Sequence, residues 1–159
     1  MDSQQINKHI IQALTDFLSS CEPTTLLYCA KEPVPALDKM QTDIDVYHLN
    51  QSNQLESLQR FDVGVVFDFL EHLNEKAGIT LLAKLRNLHC DRLWVAVPEM
   101  NGWNFKTMIG LGFRRVACYE TSESILGIYV YDLANYNRKR EWNNPKFWAN
   151  PENWGKYRW

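Results

Sequence analysis

The stretch from Phe61 to Pro98 limits the possible folds more than any other part of the chain. Val63, Val65, Val66 and Phe67 form a nearly continuous apolar run, and Leu93 to Val97 form a second. Runs that are apolar on both faces suit inner strands of a parallel sheet covered by helices. Between them lie Asp68 to Asp91, enough chain for the helical crossover that parallel strands require. The unit reads as βαβ, with Asp68, Glu71 and His72 just past the carboxyl end of its first strand. In open α/β sheets that edge is where ligands bind.

The flanking chain extends the same pattern. From Gln5 to Ser19, the residues Ile6, Ile10, Ile11, Leu14, Phe17 and Leu18 recur at spacings of three and four, which predicts an amphipathic helix. Thr24 to Ala30 is a strand apolar enough to be central, and Pro33 and Pro35 bar its continuation. A short helix over Ala36 to Met40, a weaker strand over Asp45 to Leu49 and a helical turn over Leu55 to Leu58 follow. Asp68 and Glu71 have the spacing of a capping box. Asn74 can cap a second helix with Ala77, Leu81, Leu85 and Leu88 on its apolar stripe. Gly78 should weaken that helix by about 1 kcal/mol relative to alanine. Asn101 to Leu111 reads as a helix stopped by Gly112. Phe113 to Tyr119 and Ile125 to Leu133 then read as an antiparallel hairpin. The expected fold is an α/β, three-layer, Rossmann-like sandwich with a mostly parallel sheet and a C-terminal antiparallel strand.

With 159 residues, 45% apolar and 23% charged, the chain has the size and composition of one globular domain. We divide it into a body, 1–134, and an aromatic, basic tail, 135–159, expected to dock on the body. Net charge is −2 overall, which carries no nucleic-acid signature, but the tail holds six bases against two acids and leaves −6 on the body. Cys21, Cys29, Cys90 and Cys118 are scattered without a CxxC pair, so reduced thiols are expected. The N-terminus lacks a signal-peptide design, and no apolar run approaches the roughly 20 residues of a membrane span. A cytoplasmic protein without membrane contact is the expectation. No metal site is expected, and there is no GxSxG, GxxxxGK[ST] or HExxH motif. His89-Cys90-Asp91 reads as the polar end of a helix.

Phe61-Asp62-Val63 together with Asp68-Phe69-Leu70-Glu71-His72-Leu73 resembles the signature of class I S-adenosylmethionine-dependent methyltransferases. Leu111-Gly112-Phe113 and the hairpin resemble that family's closing helix and reversed final strand. The likeness covers roughly Thr24 to Leu133. It implies a methyltransferase-type sandwich with S-adenosylmethionine as cofactor. By position, Asp68 and Phe69 would border the methionine end of that cofactor, with Glu71, His72 and, after Pro98, Glu99 along the ligand edge. The same residues also have plain structural readings, Asp68 and Glu71 as a capping pair and His72 as a surface histidine.

The chain departs from the family upstream. The family's first strand ends in a hydrophobic-D-x-G-x-G loop whose glycines let backbone approach the cofactor. Here the acid position falls on Leu27 and the glycine positions on Cys29, Lys31 and Pro33. If the cofactor binds, Cys29 is a contact with Asp68 and Phe69. The segment between Ala30 and Phe61 is too short for the family's usual two helices and two strands, so one βα unit is reduced. No acid ends the second strand to hold the ribose. His48 is a substitute in that role or else a structural histidine.

In the tail, Asn144-Pro145-Lys146-Phe147-Trp148 and Asn150-Pro151-Glu152-Asn153-Trp154 repeat the form N-P-x-x-W. Each Pro bars its predecessor from helical geometry. Trp142, Trp148, Trp154 and Trp159 need covering, since each buried aromatic removes some 150–250 Å² from water. They can pack on the body. Alternatively, with Arg138 and Arg140, they can present stacking surfaces among cations to single-stranded nucleic acid or to a protein partner. The tail and shortened body together resemble a family of small uncharacterised bacterial proteins, which supplies no activity.

Two functions follow. One is a non-catalytic binding or regulatory module on a methyltransferase fold with an eroded cofactor loop, a pseudoenzyme with no cofactor. The other is an active S-adenosylmethionine-dependent methyltransferase with an atypical loop. A nucleic-acid-binding accessory acting through the tail is a further alternative.

Overall fold

A computed structural model describes residues 3–38, 44–120, 125–136, 150–153 and 155–156. The tail side chains Arg138, Arg140, Trp142, Trp148, Trp154 and Trp159 lie outside the described residues. Six strands form one sheet: β1 (Thr25–Cys29), β2 (Asp45–Leu49), β3 (Phe61–Val66), β4 (Cys90–Pro98), β5 (Arg114–Glu120) and β6 (Ile125–Asp132). Their order is β2-β1-β3-β4-β6-β5. β1 to β4 pair in parallel, while β6 runs antiparallel to both β4 and β5. The reversed last strand is therefore inserted between β4 and β5, as the closing segment implied. Among the described residues between β1 and β3 there are one strand, the four-residue helix α2 (Pro35–Asp38) and a 3-10 turn at Ser52–Ser57, in keeping with the shortened crossover expected from the length of that segment.

Helices cover both faces. α1 (Ser3–Cys21) and α2 lie on one face. There Ile10, Leu14, Leu18 and Leu37 are buried with Leu26, Tyr28, Val63, Val65, Trp94 and Ile128. Ile11 was expected on the same stripe but is 47% exposed. At 100° per residue it stands beside Ile10 and away from the axis on which Ile10, Leu14 and Leu18 meet the sheet.

α3 (Glu75–Lys84) and α4 (Phe105–Gly110) cover the other face, with Leu81, Leu82, Leu85 and Met108 in its core. Asn74 caps α3 by accepting from the Ala77 N–H at 2.9 Å. Asn104 caps α4 through the Thr107 N–H at 3.0 Å, so α4 begins later than its sequence pattern implied. Gly112 ends it with φ +87°, a left-handed conformation that glycine adopts without strain. After α3 the helix widens into a π turn, Leu85–His89. The wider turn shifts the phase of every later residue. Leu88, expected on the core stripe, is consequently 60% exposed, and His89 is buried in its place. Of His89-Cys90-Asp91, expected as a helix end, only His89 ends the helix, and Cys90 and Asp91 open β4.

All four cysteines are free. Among the described residues no helix is long and apolar enough to cross a membrane.

Candidate functional site

The parallel strands β1, β2 and β3 end together at Cys29, Leu49 and Val66. The chain leaves β1 toward β2, while β3 lies on the other side, so the crevice between β1 and β3 is the topological switch point. The β1–β3 ladder continues to the end of β1 and, through Lys31 and Asp68, one bond past both strands. Phe67 N–H donates to the Cys29 carbonyl at 3.0 Å, and Lys31 N–H donates to the Asp68 carbonyl at 3.3 Å. On the other side of β1, Ala30 N–H donates to the Leu49 carbonyl at 3.3 Å. His48 Nε2 lies 2.9 Å from the Ala30 carbonyl oxygen. A carbonyl only accepts, so this nitrogen carries the proton. The His48 ring also stacks on Tyr28 at 4.4 Å and 9°. His48 is thereby a structural brace.

The expected capping box does not form. Asp68 has φ +47°, whereas an N-cap residue is extended. Phe69 occupies the N-cap position of the 3-10 turn Leu70–His72 without a side-chain cap. The Asp68 carboxylate instead lies 3.0 Å from His72 Nε2, both groups being substantially exposed. Glu71, directly before His72, is half-buried. Its Oε2 is buried without a hydrogen-bond partner among the described residues. Burial pushes the Glu71 carboxyl up from its ordinary value, and the Asp68 charge adds to this.

A raised carboxyl pKa favours the protonated form in the folded state. The corresponding stability is full below the unfolded value, about 4.3, and is lost as pH rises through the folded value. Glu71→Gln should therefore be more stable than the native protein at pH 7. The gain should shrink as pH falls below the carboxylate range, as read from urea midpoints against pH. An equal or lower midpoint at pH 7 would contradict the burial described.

Of the remaining expected site residues, Phe69 and His72 line a groove of about 510 Å³ with Lys31, Asn50, Gln51 and Ser52. Cys29 does not line it. Its side chain is buried in the core on the α3 face, and burial raises its thiol pKa. Glu99 lies elsewhere along the edge, where its Oε1 accepts from Tyr129 OH at 3.0 Å and from Arg115 Nη1 at 3.1 Å. The Arg115 guanidinium lies 4.5 Å from the centroid of the Phe105 ring. Burial, reinforced by Glu99, pushes the Tyr129 hydroxyl up to about 12. Glu99 thus clamps the end of β4 to the β5–β6 hairpin. Gln51 and Ser52 were missed at the sequence level. Their one signal is position, directly after β2.

This sheet order, with helices on both faces, is a methyltransferase-like, Rossmann-like fold. The chain resembles magnesium protoporphyrin IX methyltransferase from Synechocystis PCC 6803, solved with bound S-adenosylmethionine. The two share 15% identity over 78% of each chain, with a TM-score of 0.56. It also resembles 1,6-didemethyltoxoflavin-N1-methyltransferase from Burkholderia thailandensis, solved with bound 1,6-didemethyltoxoflavin and S-adenosylhomocysteine. Identity there is 13% over 82% of this chain and 81% of that one, with a TM-score of 0.52. At such identities the likeness shows the fold alone. No curated protein matches the chain. The chain belongs to a family of unknown function (DUF6231), whose profile matches residues 8–159.

Proposed function

We propose that this protein is a binding module on a methyltransferase fold and does not transfer methyl groups from S-adenosylmethionine. The observation that carries this reading is the main-chain hydrogen bond from Lys31 N–H to Asp68 O, which ties the two loops together past the ends of β1 and β3. A cofactor seated between the ends of β1 and β3 would need that backbone apart. The loop residues also do not fit the cofactor. Lys31 and Pro33 stand at glycine positions, Pro33 offers no N–H, and β2 ends in buried Leu49, followed by exposed Asn50, instead of in an acid. What persists at this edge is the shallow groove beside Phe69 and His72. Its Lys31, Asn50, Gln51 and Ser52 suit a polar ligand with one apolar face.

Thermal unfolding with 1 mM S-adenosylmethionine or S-adenosylhomocysteine tests the proposal. A ligand present at 100 times its Kd adds about 2.7 kcal/mol, which for a chain of this size raises the midpoint by about 5–10 °C. We expect no shift. A saturable shift of that size would establish the active-methyltransferase reading in its place.

A further inference from the structure

α1 leaves part of its sheet face open. Alongside it, from Cys21 to Ala13, runs a groove of about 690 Å³ whose apolar lining includes Phe17, Trp94, Val116 and Val130. Val116 is 45% exposed although it faces this groove. The eight helical steps from Ala13 to Cys21, at about 1.5 Å each, give it a length of roughly 12 Å. Asn135, in the short helix α5 (Leu133–Tyr136), lines the same groove. The chain therefore passes from α5 into residues 137–149 at the groove's own rim.

We propose that residues 137–149 of the same chain occupy this groove, with Trp142 and Trp148 covering its apolar lining. Reach allows it: the six residues from Tyr136 to Trp142 span up to roughly 20 Å, more than the groove's length. Charge favours it as well. Beside α5, an adjoining hollow of about 520 Å³ is lined by Glu22, Asp62, Asp91 and Asp132, with Arg60 paired to Asp91 and Arg92 to Asp132, which leaves an excess of acid. The first charged residues after α5 are Arg138, Lys139 and Arg140. The next, Glu141, immediately precedes Trp142 and supplies a counter-charge for Arg114, which lines the groove. The basic triplet thus has acids near where it leaves α5, Asp132 in the groove and Glu22 in the adjoining hollow, and Glu141 has Arg92 and Arg114 in the groove to face. Two tryptophans each with some 150–250 Å² to hide supply the driving force.

Limited trypsin digestion of the full chain tests this, with cleavage after Arg138, Lys139, Arg140 and Lys146 followed by mass spectrometry. Docking should protect these bonds through a closed equilibrium. Val116→Glu, which puts a charge in the groove, and the double variant Trp142→Ala/Trp148→Ala, which leaves the body untouched, should each speed cleavage at least about tenfold. Ile109→Glu, at an exposed position on the opposite face, should not. If Val116→Glu loses its circular dichroism, the tail double variant decides the matter alone. Native cleavage as fast as in the double variant would overturn the proposal in favour of a tail free for nucleic acid or another protein. Protection that disappears on dilution would overturn it in favour of the tail of a second copy.

Discussion

Trp103→Ala is expected to destabilise the protein by about 3–5 kcal/mol, the range for removing a large buried aromatic. Trp103 stands in the loop between β4 and α4, outside any regular element, and is nonetheless buried. Its ring lies against Gly78 of α3. A Cβ added at Gly78 would stand 2.4 Å from Trp103 Cζ2 and 3.5 Å from Leu70 Cδ2. The tryptophan therefore pins the loop after β4 to α3 at the same sheet edge as the switch point. This contact reverses an ordinary rule. Within a helix, Gly→Ala gains about 1 kcal/mol, but Gly78→Ala should destabilise the native protein because the added methyl would overlap a rigid, buried ring. In the Trp103→Ala background the same substitution should stabilise. Urea denaturation of the two single variants and the double variant completes the cycle. A stabilising Gly78→Ala in the native background would contradict the packing.

Trp94→Ala is the second large loss, again about 3–5 kcal/mol. Trp94 sits mid-strand in β4, opposite Val65 on one side and Val130 on the other. It is buried in the core that α1 closes with Ile10, Leu14 and Leu18. It also lines the groove beside α1, so its removal leaves a cavity that α1 can fill only by leaving its register on the sheet. Total stabilities of single domains are about 5–15 kcal/mol, so the denaturation midpoint should fall steeply. A cost near 1 kcal/mol would mean that α1 is not seated on this strand as described.

Much of this architecture was legible from residue patterns, because the apolar runs were long and their punctuation clear. β2 occupies Asp45–Leu49 as read, and β3 and β4 follow the runs around Val65 and Val95. Asn74 and Gly112 cap and stop their helices as their chemistry dictates. Where the reading failed, the cause was a change of phase or a long-range contact. The π turn at Leu85–His89 displaced Leu88 from the core, and no residue in it announces the extra width. Asp68 has the letters of a capping box, yet its carbonyl is held by Lys31, 37 positions earlier, in a backbone conformation that forbids the cap. The bonds of Glu99 to Arg115 and Tyr129 were not legible either, because both partners lie on the hairpin that follows. The weakness of Gly78 as a helix residue was visible, but Trp103 as its reason was not.

The same distinction applies to the site. Lys31 and Pro33 at glycine positions could be read from the chain. Closure of the crevice could not, because it depends on the register of β1 against β3 and on main-chain groups common to every residue. A residue-resolved amide spectrum with S-adenosylhomocysteine added to 1 mM tests that closure most directly. The amides of Lys31 and Phe67 should exchange slowly with solvent, and their positions should stay fixed throughout the titration. Rapid exchange at both amides, or saturable movement of their signals with the cofactor product, would contradict a closed crevice and the non-catalytic reading built on it.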